Sequence, residues 1–165
     1  MRLRYLALAA ALLAIGTGWY FFRPERLVLD TVVQEPLPPA VSALTATRPP
    51  VLLARGRFHP VNHDGRGEVA LYRASNGERI LRFSRFATDN GPDLYVYLVA
   101  AADVPDDETV ERAGYVSLGR LKGNVGDQNY TVPVGLDVSR YRTVVVWCQR
   151  FGVSFAAAPL GAVAG

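Results

Sequence analysis

Residues 68–86 read Glu-Val-Ala-Leu-Tyr-Arg-Ala-Ser-Asn-Gly-Glu-Arg-Ile-Leu-Arg-Phe-Ser-Arg-Phe. Two alternating runs, Glu68–Arg73 and Arg79–Phe86, flank Asn76-Gly77. Asn-Gly between such runs is the strongest short hairpin signal, because both residues accept a positive φ. In the second run Leu81 and Phe83 share one face and Arg82 and Ser84 the other, the period of a half-buried strand.

The same texture extends in both directions. Upstream, Val51–Phe58 reads as a strand. Downstream, Asn90-Gly91-Pro92 marks a turn, and Asp93–Ala100 alternates, with Leu94, Val96 and Leu98 opposite Tyr95, Tyr97 and Val99. Tyr115–Leu121 and Asn129–Val132 are weaker strands. Thr143–Gln149 is β-branched and aromatic, and Val153–Ala157 follows it. Val144, Val146 and Cys148 fall on one face of the penultimate strand and Val145 and Trp147 on the other, which predicts a central strand covered on both sides. Asp137–Tyr141 reads as one helical turn capped by Asp137. No stretch after residue 50 carries a convincing helical period. About eight strands with frequent turn signals predict an all-β domain, an antiparallel β-sandwich or flattened barrel.

The amino-terminal third reads differently. Arg2 and Arg4 precede an uncharged run from Tyr5 to Phe22. Its eighteen residues would span roughly 27 Å as a helix, close to the hydrocarbon thickness of a bilayer. Its seven Leu, Ile and Phe residues favour insertion by roughly 2–4 kcal/mol in sum. The run ends in Trp-Tyr-Phe-Phe-Arg rather than in small residues, so an uncleaved signal anchor fits better than a cleaved signal peptide. The expected topology has the amino terminus in the cytoplasm, residues 5–22 in the lipid bilayer and the remainder outside, in a periplasm-like space. Residues 23–50 hold Pro24, Pro36, Pro38, Pro39, Pro49 and Pro50, the mark of a semi-extended Pro-rich tether. The competing reading is an ordered arm along the domain, for which Leu27, Val28, Leu29, Val32 and Val33 supply apolar contacts. The organisation expected is thus anchor 1–22, tether 23–50, β domain 51–160 and tail 161–165.

Composition excludes several functions. The chain of 165 residues carries 18 Lys and Arg against 15 Asp and Glu, a net charge of +3. Without the first fifty residues the two signs nearly balance, and the basic residues are scattered. That gives no electrostatic footprint for nucleic acid. Half the residues are hydrophobic, which excludes global disorder. A single cysteine, Cys148, excludes an intramolecular disulfide and any multi-cysteine zinc site. No metal site is expected. No nucleophile-elbow serine, paired zinc histidines or nucleotide fingerprint occurs.

Four pieces in order resemble the DM-thirteen domain, an electron-transfer domain often found beside DOMON domains in secreted and cell-surface proteins. They are Gly56-Arg-Phe58 with His63-Asp-Gly-Arg-Gly67; Asn90-Gly-Pro-Asp-Leu-Tyr-Val-Tyr-Leu98; Leu118-Gly-Arg-Leu-Lys-Gly123 through Gly126 and Gln128 to Tyr130; and Val144-Val-Val-Trp-Cys-Gln-Arg-Phe151 with Val153-Ser-Phe155. The resemblance covers roughly residues 51–160, and Cys148 falls where that family places its signature cysteine. It implies an extracytoplasmic β-sandwich with a redox role, through a bare thiol or a bound group such as haem, and an electron partner protein not named by the sequence.

Cys148 is therefore the first candidate site residue, as a redox thiol or ligand. A free cysteine in a central strand is otherwise a small buried hydrophobe. Arg150 would share its face if the strand ran on unbroken. His63 and His59 are the only histidines and the available imidazole ligands. The lone methionine, Met1, lies at the anchor, and no Cys-x-x-Cys-His occurs, so only non-covalent haem held by His63, His59, Cys148 or a tyrosine is compatible. Asp93 is a third cofactor-site candidate, although an aspartate after Gly-Pro also fixes turns by bonding backbone N–H groups. Gly119, Gly123 and Gly126 beside Lys122 lack the spacing of a phosphate loop. Asp106-Asp107-Glu108 reads as a solvated turn, and Asn129-Tyr-Thr131 matches a glycosylation sequon. A competing function is a non-catalytic binding or adhesion module presenting Tyr72, Tyr95, Tyr97, Tyr115 and Tyr130.

Overall fold

Six consecutive residues with no exposed side chain, Thr143–Cys148, form the strand around which the domain is built. In the computed structural model, which describes residues 2–22, 29–42 and 49–163, with α1 side chains from Arg4 to Trp19, this strand is β9. The elements in chain order are α1 (Arg2–Phe22), β1 (Val32–Gln34), β2 (Val51–Arg57), β3 (His59–Pro60), β4 (Gly65–Arg73), β5 (Arg79–Thr88), β6 (Leu94–Val99), α2 (Asp107–Ala113), β7 (Tyr115–Arg120), β8 (Val125–Val132), β9, β10 (Val153–Pro159) and β11 (Gly161–Ala162).

They form two sheets, β1-β8-β5-β4-β2-β11 and β3-β10-β9-β6-β7, a sandwich with no closed barrel. β9 lies in the middle of the second sheet, as its two-sided apolar pattern predicts. Val144, Val146 and Cys148 face the other sheet, where Phe58, Leu71, Leu81, Phe83, Phe86 and Tyr130 meet them. Val145 and Trp147 face outward with Tyr97 and Val99, beneath Val104 and Val110. Val110 belongs to α2, the cover the sequence does not announce. Asp106, expected in a solvated turn, caps this helix by accepting from the N–H of Thr109 at 2.8 Å.

The sequence marks eight strands; the added short ones, β1, β3 and β11, have no alternation to reveal them. The expected β4–β5 hairpin forms, with a five-residue connection, Ala74–Glu78, instead of a two-residue turn. Asn76 closes it by accepting from the N–H of Glu78 at 3.0 Å. Around Asp137 the chain makes a turn and no helix: the carboxylate takes the N–H and hydroxyl of Ser139 at 3.0 and 2.6 Å.

Part of the expected tether is an ordered arm. β1 pairs in parallel with β8, Val32 opposite Val125 and Gln34 opposite Asp127. The chain then crosses the outer face of the first sheet. Glu35 accepts from the N–H of Asn129 at 2.7 Å and from Lys122 Nζ at 2.7 Å. Val41 is buried against Ala74 and Ile80. Residues 23–28 and 43–48 of the expected tether lie outside the described residues.

α1 carries Tyr5, Leu6, Leu8, Leu12, Leu13, Ile15 and Trp19 exposed. Among the described residues no helix is long and apolar enough to cross a membrane.

Candidate functional site

Strand register gathers three of the sequence's motifs at one end of the sandwich. β9 ends at Cys148, whose cross-strand neighbours are Leu94 of β6 and Val153 of β10. The Gln149 N–H donates to the carbonyl of Asp93 at 3.0 Å, joining the β9–β10 turn to the Gly-Pro-Asp-Leu corner. His63 comes in from the β3–β4 connection, its N–H on the carbonyl of Phe155 at 3.3 Å.

Cys148 is fully buried. It belongs to the inter-sheet apolar cluster with Leu94, Val146 and Phe155. Arg150 does not share its face, because β9 stops at Cys148 and Arg150 stands exposed in the turn. No cation therefore extends along the strand to the sulfur from that position.

His63 reaches the cluster through an aromatic intermediary. Its ring stacks on Phe155 with centroids 3.8 Å apart and planes 18° from parallel. Its Nδ1 lies 3.2 Å from Asp89 Oδ2, which also takes the N–H of Asp64 at 3.3 Å. His59 is held elsewhere, with Nε2 2.9 Å from Asp103 Oδ1 and Nδ1 2.9 Å from the Pro60 carbonyl. Burial lowers the His59 pKa, the hydrogen bonds to Pro60 and Asp103 raise it, and the net direction is upward.

Asp93 takes a role the sequence does not disclose. Its carboxylate pairs with Arg120 Nη2 at 2.8 Å, and that guanidinium lies over the Tyr95 ring at 5.2 Å. The side chain thus ties β7 to the corner instead of bonding the backbone of its own turn.

A cleft of about 170 Å³ opens beside this corner, with Leu94 in its lining together with Thr31, Asn90, Gly91, Arg120 and Asn124. Asp30 closes its rim, accepting from Asn124 Nδ2 at 2.7 Å and Asn90 Nδ2 at 3.1 Å. A second cleft of about 500 Å³ includes His63, Asp64, Asp89 and Asp30.

Neither of these two clefts fits a haem. The cleft nearest the Cys148 strand is smaller than ordinary ligand pockets of about 300–1,000 Å³ and holds no histidine, cysteine or tyrosine. The larger cleft offers His63 among three aspartates and one arginine, Arg66, so its lining is net acidic, which disfavours two haem propionates. Among the described residues no three His, Cys, Asp or Glu side chains gather as a metal site.

The glycine-rich segment beside Lys122 is explained by the arm. A Cβ on Gly123 would sit 2.3 Å from the Thr31 carbonyl, and one on Gly126 2.0 Å from the Val33 carbonyl. Asn129 of the sequon is likewise engaged, its Nδ2 donating to Glu35 Oε2 at 3.2 Å and to the Pro36 carbonyl at 3.0 Å. The tyrosines make no common exposed face. Tyr97 and Tyr130 are buried, and Tyr97 stacks on the half-exposed Tyr115 at 4.2 Å. Burial, then the neighbouring Tyr115, pushes the Tyr97 phenol up to about 12.

The chain matches the profile of a family described as Electron transfer DM13 over residues 57–160. No curated protein and no solved structure matches it.

Proposed function

Because the chain belongs to the DM13 electron-transfer family, we propose that it is an extracytoplasmic redox module with Cys148 as its working group, held at a membrane by α1. The anchor reading is supported by a helix whose apolar side chains nothing among the described residues covers. The sequence continues its apolar run through Tyr20, Phe21 and Phe22, past the described side chains. The amino terminus lies in the cytoplasm in this reading.

The observation that carries the redox assignment is the family match spanning Cys148, together with that residue's position as the last of its strand. A fully buried thiol cannot exchange with a disulfide, since exchange needs access to sulfur. The strand that carries Cys148 ends in a four-residue turn, and the Asp93–Leu94 corner adjoins it. Such segments open at lower free energy than the whole domain. When open, the Cys148 thiolate attacks a disulfide of the electron partner. A mixed disulfide forms, the partner's other sulfur leaves as thiolate, and the thiol proton passes to water. His63 and Asp93 shape this end: His63 bears on Phe155, and Asp93 holds Arg120 and the turn.

Oxidised glutathione is the probe. Incubation of the native full chain should give one glutathione adduct at Cys148, absent from Cys148→Ala, on a protein with no visible absorbance band. An adduct that appears only in denaturant contradicts the reading, and so does a haem spectrum.

A further inference from the structure

The polypeptide path ties one end of the sandwich to α1. Eight residue steps separate Phe22 from Asp30, and at most about 3.6 Å per step gives a reach of roughly 29 Å. Asp30 is fixed on the rim by Asn90 and Asn124. The opposite end, where β8 runs into Val134, lies one strand length further away, roughly 23 Å over the residues of β8.

At the tethered end stands an apolar side chain that belongs to none of the buried clusters among the described residues. Phe151, in the turn between β9 and β10, is 66 % exposed. Arg150, beside it, is also exposed. An exposed aromatic ring next to an arginine suits the boundary between acyl chains and headgroups: the ring enters the apolar layer and the guanidinium stays at the phosphates. A single ring binds a bilayer weakly. A short tether, however, raises the effective concentration of the surface to the millimolar range.

We propose that the turn Gln149–Gly152 docks on the phospholipid bilayer, with Phe151 inserted at the headgroup boundary and Arg150 on lipid phosphate. The inference rests on the anchor reading above. It deepens that reading, since the turn that meets the lipid is the turn that adjoins Cys148. The sandwich then stands with its Asp30–Asn90–Asn124 rim toward the bilayer and Val134 toward water. An electron partner reaching this end is itself membrane-borne.

The test uses the full chain in vesicles of phosphatidylcholine and phosphatidylglycerol. Nitroxide labels are placed at Gln149→Cys, which keeps Phe151 and Arg150, and, for comparison, at Val134→Cys, each with Cys148→Ala. Both labelled positions are exposed, and the buried Cys148→Ala change is common to the two variants, so it cancels in the comparison. Expected is a severalfold higher ratio of oxygen to water-soluble nickel accessibility at 149 than at 134. Equal ratios in a chain that floats with the vesicles overturn the docking and leave the anchor standing. Failure of the chain to float with vesicles overturns both.

Discussion

His63 lies flat on Phe155, 3.8 Å between ring centroids, and Phe155 belongs to the same buried cluster as Cys148. One aromatic ring therefore separates the only partly exposed imidazole of this end from the core that holds the thiol. The ring of Phe155 also limits the corner, since a Cβ on Gly91 would meet its Cζ at 2.8 Å.

Phe155→Ala should cost about 3–5 kcal/mol of unfolding free energy, the usual range for deleting a buried phenyl group. It should also speed native-state reaction of Cys148 with a thiol reagent by more than Phe155→Leu does. Denaturant titration and thiol kinetics on the same samples check both. Equal kinetics in the two variants would separate Phe155 from the cover of Cys148.

Gly126→Ala should detach the arm. Its φ of 108° and the 2.0 Å approach of a Cβ to the Val33 carbonyl leave β1 no room against β8. Backbone strain alone costs about 1–3 kcal/mol. Limited proteolysis should cut within residues 29–42 in this variant and spare them in the wild type. An unchanged digestion pattern argues against the parallel pairing.

Two groups give opposite pH dependences. Burial raises the Glu35 pKa, but the hydrogen bonds from Lys122 and Asn129 outweigh it and the net shift is downward. A depressed carboxyl contributes stability that is present above its unfolded value and lost as pH falls through the folded one. Glu35→Gln should therefore flatten the acid limb of the stability curve. His59 is shifted upward. Its contribution is full below the ordinary histidine range and disappears as pH rises through the raised value. His59→Gln should flatten that limb near neutrality. Thermal unfolding from pH 3 to 9 reads both limbs, and an unaltered limb in either variant removes that residue's contribution.

Cys148→Ser should destabilise more than Cys148→Ala. The site is fully buried among apolar side chains, and an unpartnered hydroxyl there costs about 1–3 kcal/mol. Chemical denaturation ranks the two. The reverse order would mean that the site offers the hydroxyl a partner.

Much of the sandwich is legible in the sequence, because its long strands bury one face or two and the side-chain pattern records which. β9 is the clearest case: its valines and Trp147 point both ways, and the strand is covered both ways. β1 is not legible, since three residues of an edge strand leave no periodicity. The trace it does leave is indirect, in Gly123 and Gly126, whose missing side chains admit the arm. α2 escapes notice because its seven residues bury only Val110. Cys148, His63 and Asp93, the candidates the sequence offers, lie at the same end of the fold. It does not offer their partners Phe155, Asp89 and Arg120, because each contact joins segments far apart in the chain and nothing local encodes it.

The central claim is that Cys148 is uncovered by opening at its strand end while the sandwich stays folded. Reaction of the native thiol with a disulfide reagent, followed as reagent concentration and denaturant are varied, measures the free energy of uncovering. The account predicts a value below the global unfolding free energy and nearly independent of denaturant at low concentration. Uncovering that matches global unfolding in both free energy and denaturant slope would contradict it, leaving Cys148 a packing residue.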